Sequence, residues 1–173
     1  MERSSLTAPM PAVTTVAGLP TDLYAAAQLY AGEQLQSLLV ATIDLGLVID
    51  HAHWNVQGMG SDSLHVLFDD LGDTLGRHRA LLAQRAVELG AAPDGRPCTV
   101  AADSRLPEPG NGPLLARDAA AAIADRLDRV ADLVRDQLSR LSASDPVTRH
   151  VLIGLAHLIE RHREMLRRLG VQA

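Results

Sequence analysis

Residues 61–89 read SDSLHVLFDDLGDTLGRHRALLAQRAVEL. Leu64, Leu67, Leu71, Leu75, Leu82 and Leu89 recur at steps of three, four or seven, which places them on one face of an α-helix. The helical period continues on both sides of this stretch. Upstream, Leu23, Ala27, Tyr30, Leu38, Ala41, Leu45, Val48 and Ala52 form an apolar line over about Thr21 to Val56, with Thr21 as N-cap. Downstream, Ile123, Leu127, Val130, Val134, Leu138 and Leu141 predict a helix over about Leu114 to Leu141. Asp125 and Arg129, and Asp136 and Arg140, stand four apart on its solvated face. A fourth helix runs from Pro146 to Leu169, started by Ser144 and Asp145 ahead of a proline in the first turn. Arg161, Arg163, Arg167 and Arg168 near its end complement the helix dipole.

Proline marks where these helices stop. Pro93, Pro97, Pro107, Pro109 and Pro113, with Gly95, Gly110 and Gly112, define a connector of about twenty residues between the second and third helices. Pro9, Pro11 and Pro20 fall in a small-residue tail over 1–20, expected to be flexible. The expected fold is all-α: a ferritin-like four-helix bundle over 21–169, with a long crossover connector between helices 2 and 3 and a short tail at 170–173.

Composition narrows the partners. The 173 residues carry a net charge of −5, and all 16 basic side chains are arginine. An acidic chain without lysine shows no obvious phosphate-neutralising surface, which argues against nucleic acid. A single cysteine, Cys98, forms no internal disulfide. The first twenty residues lack the basic and apolar regions of a signal peptide, and no apolar run approaches the ~18 residues of a membrane span. The expectation is a cytoplasmic protein. Four aromatics (Tyr24, Tyr30, Trp54, Phe68) leave the core to Leu, Val, Ile and Ala, which favours helices over sheets.

Seven histidines are the candidate chemistry. His51 and His53 are two apart, so on a helix they point about 200° from each other and share no metal. His65 and Asp69 lie one turn apart on one face, with Asp73 a turn further. An imidazole and a carboxylate so placed suit Fe(II), Zn(II) or Mn(II), or form a solvated surface pair. His157 and Glu160 make a second such pair beside the arginines. No Glu-x-x-His occurs, which excludes the usual di-iron bundle site. Trp54 reads as a packing aromatic at the bundle end, and Cys98 has no visible catalytic partner.

The segments Ala52-His53-Trp54-Asn55-Val56-Gln57-Gly58, Leu64-His65-Val66-Leu67-Phe68-Asp69 and Ala83-Gln84-Arg85-Ala86-Val87-Glu88-Leu89-Gly90 resemble the Dps family of mini-ferritins. So do Ile159-Glu160-Arg161-His162 and Met165-Leu166-Arg167 in the last helix. The resemblance implies a hollow dodecamer that binds Fe(II) at sites shared across two-fold interfaces. It also implies oxidation of that iron, preferably by hydrogen peroxide, and storage of the ferric product. His53, His65 and Asp69 match one half of the family's ferroxidase site, with Trp54 beside it. The neighbour's Asp and Glu fall on Ala80 and Gln84, which carry no carboxylate.

What remains, two imidazoles and one carboxylate, suits one Fe(II) or Zn2+ with open positions. Asp73 or His78 are the substitute ligands if the centre has been rebuilt. The expected activity is therefore a weakened ferroxidase in an iron-storing cage, or a non-catalytic cage with a structural metal. The family's DNA binders commonly use lysine-rich tails. Here Arg3 is offset by Glu2, and twelve copies would carry about −60. Gly72, Gly76 and Ala80 continue the His65–Asp69 face. Glycine inside a helix costs about 1 kcal/mol relative to alanine, so this line predicts close approach of a partner subunit or marks a tolerant exposed face.

Overall fold

The computed structural model describes residues 21–141 and 145–170. The tail over 1–20, Ser144, residues 171–173 and the side chains of Leu23 and Ala27 lie outside the described residues. Helix α1 spans Thr21–Asn55, α2 Ser61–Glu88, α3 Pro97–Asp103, α4 Ala116–Arg140 and α5 Pro146–Gly170. Two-residue strands β1 (Val56–Gln57) and β2 (Leu114–Leu115) pair in parallel, Val56 with Leu114 and Gln57 with Leu115. The four long helices stand where the apolar periods place them. Leu64, Leu67, Leu71, Leu75 and Leu82 of α2 are all buried, and Ile123, Leu127, Val130 and Val134 of α4 have no exposed surface.

Three expectations change. The connector is not irregular throughout: Pro97, at the first helical position where its missing N–H costs nothing, starts the short α3. Leu114 and Leu115 form β2 instead of the first turn of α4, because β1 is there to pair with them. Tyr30 stands outside the core at 53% exposed. Further, Gln28–Asn55 is long and apolar enough to cross a membrane by length and composition, contrary to the reading of its runs. Its apolar side chains (Leu35, Leu38, Leu45, Ile49) are nonetheless buried within the bundle.

The connector runs along α1 in the direction of α1. Gln36 and the Asp94 backbone exchange two hydrogen bonds, at 2.7 and 2.9 Å. Ser104 Oγ donates to Asp44. The His51 Nε2–H donates to the Gly110 carbonyl at 3.1 Å, since a carbonyl only accepts. Buried Arg126 of α4 adds a bond from Nη2 to the Pro107 carbonyl at 2.7 Å. The chain so returns to the C-terminal end of α1, where β1 and β2 meet and where α2 also begins. Helices α2 and α4 therefore run in the same direction, the single-crossover order of a ferritin-like bundle.

Helix ends are specified locally. Gly90 takes φ +85°, which a side chain would strain. Bonds from its N–H to Val87 and from Ala91 to Ala86 then satisfy the last carbonyls of α2. At the start of α5, Asp145 accepts from the Thr148 N–H at 2.9 Å and the Thr148 hydroxyl at 2.6 Å. Arg85 reaches the same carboxylate at 3.1 Å, tying α5 to the end of α2. Burial raises the Asp145 pKa, but the Thr148 bonds and the Arg85 charge outweigh it and hold the carboxyl below its ordinary value. A depressed folded-state pKa adds stability at neutral pH that is lost as pH falls through the carboxylate range. Asp145→Ala is expected to cost about 1–2 kcal/mol and lower the Tm by roughly 2–8 °C. The gap between the thermal melts of the two proteins should narrow as pH falls below about 4, the ordinary carboxylate value.

Candidate metal centre

His53 lies in the last turn of α1, and His65 and Asp69 lie one turn apart near the start of α2. The short turn through β1 reverses the chain and sets these segments side by side. Leu64, Leu67, Phe68 and Leu71, all buried, fix the rotation of α2 so that His65 and Asp69 turn away from the core. His53 Nε2 stands 3.2 Å from Asp69 Oδ1. The His53 and His65 rings pack edge to face, with centroids 4.6 Å apart at 74°.

The cluster is open. Asp69 is 73% exposed and His53 is 30% exposed. Among the described residues no three His, Cys, Asp or Glu side chains close round an ion within one chain. The arrangement sets two imidazoles and one carboxylate side by side, donor types that suit a borderline divalent ion with positions left for further ligands.

The remaining candidates separate clearly. Ala80 and Gln84 are exposed on the same helix. The Gln84 amide donates to Glu88 Oε1 at 3.1 Å, and Arg85 holds the other Glu88 oxygen at 3.0 Å. Asp73 is exposed and makes no ion pair among the described residues. His78 does not join the cluster. Nine residues from Asp69, it emerges on the opposite side of α2, where its Nδ1–H donates to the Thr74 carbonyl and Nε2 lies beside Gly154 of α5. The reading of His78 as a substitute ligand is therefore withdrawn. Trp54 does not close the bundle end; it is 76% exposed beside the half-site. His157 and Glu160 lie exposed on α5.

The arginines of α5 are engaged with carboxylates. Arg161 pairs with Asp70, Arg163 with Asp128, and Arg167 and Arg168 with Glu164. Hydrogen bonds from Arg167 and Arg168 hold Glu164 below its ordinary pKa. The sequence reading missed His162, which is 1% exposed. It donates from Nδ1 to the Leu158 carbonyl and meets Asp70 with Nε2 at 3.2 Å. This contact anchors α5 to α2 at the residue next to Asp69. The available signal was a histidine four residues after Leu158 and four before Leu166, both core positions.

A ferritin-like domain profile matches residues 32–171, which takes in α2, α4, α5 and α1 from its second third onward. The chain belongs to the ferritin-like domain family. Among ferritin-like relatives, DNA protection during starvation protein 2 of Deinococcus radiodurans is 30% identical over 135 residues. That match covers 78% of this chain and 56% of the relative, so this chain spans little more than half of that protein's length. The fold is similar to the crystal structure of Dps92 from Deinococcus radiodurans, with a TM-score of 0.79 and 28% identity over 83% of this chain and 87% of that one. Dps from Microbacterium arborescens, solved in a high-iron form, superposes with a TM-score of 0.75 at 25% identity, covering 83% and 91% of the two chains.

Proposed function

We propose that this ferritin-like chain binds Fe(II), as substrate and cargo, at His53, His65 and Asp69. The half-sites face each other across two-fold contacts of a homo-oligomeric shell, a dodecamer by resemblance to the Dps family, in the cytoplasm. Hydrogen peroxide is the proposed oxidant, and the ferric product stays in the shell, which removes iron and peroxide together under oxidative stress.

The observation that carries this reading is the adjacency of His53 to Asp69, at 3.2 Å, and to the His65 ring, at 4.6 Å between centroids, across two neighbouring helices. The high-iron form of the Microbacterium relative supports iron as the ion. The exposure of the cluster supports completion by a second subunit. Turnover is proposed to be slow. Each peroxide molecule takes two electrons, and each Fe(II) gives one. A site that holds a single ion must draw the second electron from another site. An anaerobic Fe(II) titration tests binding: His65→Ala, which removes a direct ligand, is expected to weaken it by at least the ~10–100-fold that loss of an outer-shell partner costs. Equal binding by wild type and variant would remove the site from the account.

A second reading follows from Ala80 and Gln84. With neither supplying a carboxylate, the shell could hold a structural Zn2+ at the half-site and leave oxidation aside. Zinc retained through dialysis, with no Fe(II) uptake, would favour that reading.

A further inference from the structure

Arg126 of α4 is 4% exposed, and its Nε is the only buried side-chain nitrogen or oxygen among the described residues without a hydrogen-bond partner. Nη1 donates to the Ala122 carbonyl and Nη2 to the Pro107 carbonyl, both at 2.7 Å. Both acceptors are neutral. Burial pushes the Arg126 pKa below the ordinary arginine value, and the charges of Asp125 and Asp44 act against that shift. A guanidinium buried on carbonyls alone is a costly arrangement. Its unused buried N–H calls for an acceptor.

Asp44 of α1 stands at the same height on the helix packed against α4. Gln137 bonds Gln34 at one end of the α1–α4 seam, and Leu114 pairs with Val56 at the other. Ten residues along α1 from Gln34 lies Asp44, and eleven back along α4 from Gln137 lies Arg126. Among the described residues no hydrogen bond or ion pair joins the two directly; the Asp44 carboxylate accepts from Ser104 Oγ. The connector crosses over this pair. Between positions 104 and 113 only Ser104, Leu106 and Gly112 are even partly buried. The segment is held by Ser104 on Asp44, Leu106 against the core, Pro107 on Arg126 and Gly110 on His51. A stretch with so little buried apolar surface opens at low free energy, so its polar ties decide whether it stays down.

We propose that Arg126 and Asp44, bridged by one buried water, form a latch that holds the 104–110 segment as a strap across the α1–α4 seam, and that the strap opens as a unit without unfolding the bundle. Water fits the chemistry where an anion does not. It accepts from Arg126 Nε and donates to the Asp44 carboxylate, whereas an anion would be repelled by Asp44. The guanidinium then grips two elements at once, the strap through Nη2 and α1 through the water. A buried charge pair contributes little net stability compared with apolar residues of its size; here it selects the path of the crossover. The latch does not depend on iron.

Trypsin reads the latch. Among the described residues Arg105 is the one arginine outside the helices whose next residue is not proline, since Arg96 precedes Pro97. Cleavage of the Arg105–Leu106 bond requires the strap to lift, so its rate follows the open population. Arg126→Met, which removes the charge and keeps a long side chain, is expected to raise that rate by about 10–100-fold, the equivalent of one hydrogen bond from a charged donor. Asp44→Asn should raise it as well, and the double variant should fall short of the product of the two singles. Hydrogen-exchange protection of the α1, α2, α4 and α5 amides should match wild type throughout. An unchanged cleavage rate in either single variant overturns the proposal, as does the full product in the double variant. Arg126→Lys, which keeps the charge without the planar fork, repeats the assay if circular dichroism shows Arg126→Met to be unfolded; loss of helix protection in both Arg126 variants also overturns it. A crystal structure of the wild-type protein should show one water within hydrogen-bond distance of Arg126 Nε and the Asp44 carboxylate. Arg126 Nε bonded to a protein acceptor, or a halide at that position, would contradict the latch.

Discussion

Restoring two carboxylates, with Ala80→Asp and Gln84→Glu together, is expected to speed peroxide-driven Fe(II) oxidation by about 10–100-fold. The proposed site offers two imidazole ligands and one carboxylate, which leaves the charge of a ferrous ion only partly offset and that of its ferric product less so. A carboxylate oxygen is also a harder donor than the Gln84 carbonyl, and so favours the ferric state. Gln84→Glu additionally removes the hydrogen bond that the Gln84 amide donates to Glu88 and sets two acids one turn apart, which raises demand for a cation on this face. Stopped-flow absorbance of Fe(II) mixed with peroxide checks the rate. A wild-type rate that already equals the double variant's would show that Ala80 and Gln84 impose no deficit.

The second large effect concerns the core. Phe68 is 1% exposed, while Trp54 and Tyr30 lie at the surface, so Phe68 is the only buried aromatic among the described residues. It is packed within a cluster otherwise made of Leu, Ile, Val and Ala. Phe68→Ala removes the ring from a core with no other buried aromatic among the described residues to refill the gap. The expected cost is about 3–5 kcal/mol, or a Tm lower by roughly 6–20 °C. Because Phe68 immediately precedes Asp69, the variant should also loosen the metal cluster. Calorimetry and an Fe(II) titration on the same sample measure both effects.

The four long helices were legible because their apolar residues keep one period over many turns, and helix α2 alone decides the class. Helix α3 was not: its seven residues are too few for a period to register, and proline, read as a breaker, here starts a helix. The β1–β2 pair was invisible for a related reason, since two residues per strand carry no alternation and the partners are 58 positions apart. The metal cluster was readable only in part. Spacing put His65 and Asp69 together on α2, but joining His53 to them depends on the turn through Val56–Gly60, which spacing on one helix does not describe. His78 shows the converse limit. It lies on the same helix as Asp69, but nine residues turn it towards α5. Trp54 was misplaced because a large aromatic at a helix end is ordinarily buried, whereas here it borders a face that we read as an interface.

His53, His65 and Asp69 are proposed to hold iron in the assembled protein. Anomalous scattering at the iron edge, from crystals grown with Fe(II) under anaerobic conditions, tests it most directly. The prediction is one iron peak at each His53–His65–Asp69 cluster, absent from crystals of the His65→Ala variant. Iron peaks elsewhere with these clusters empty, or an undiminished peak in the variant, would contradict it.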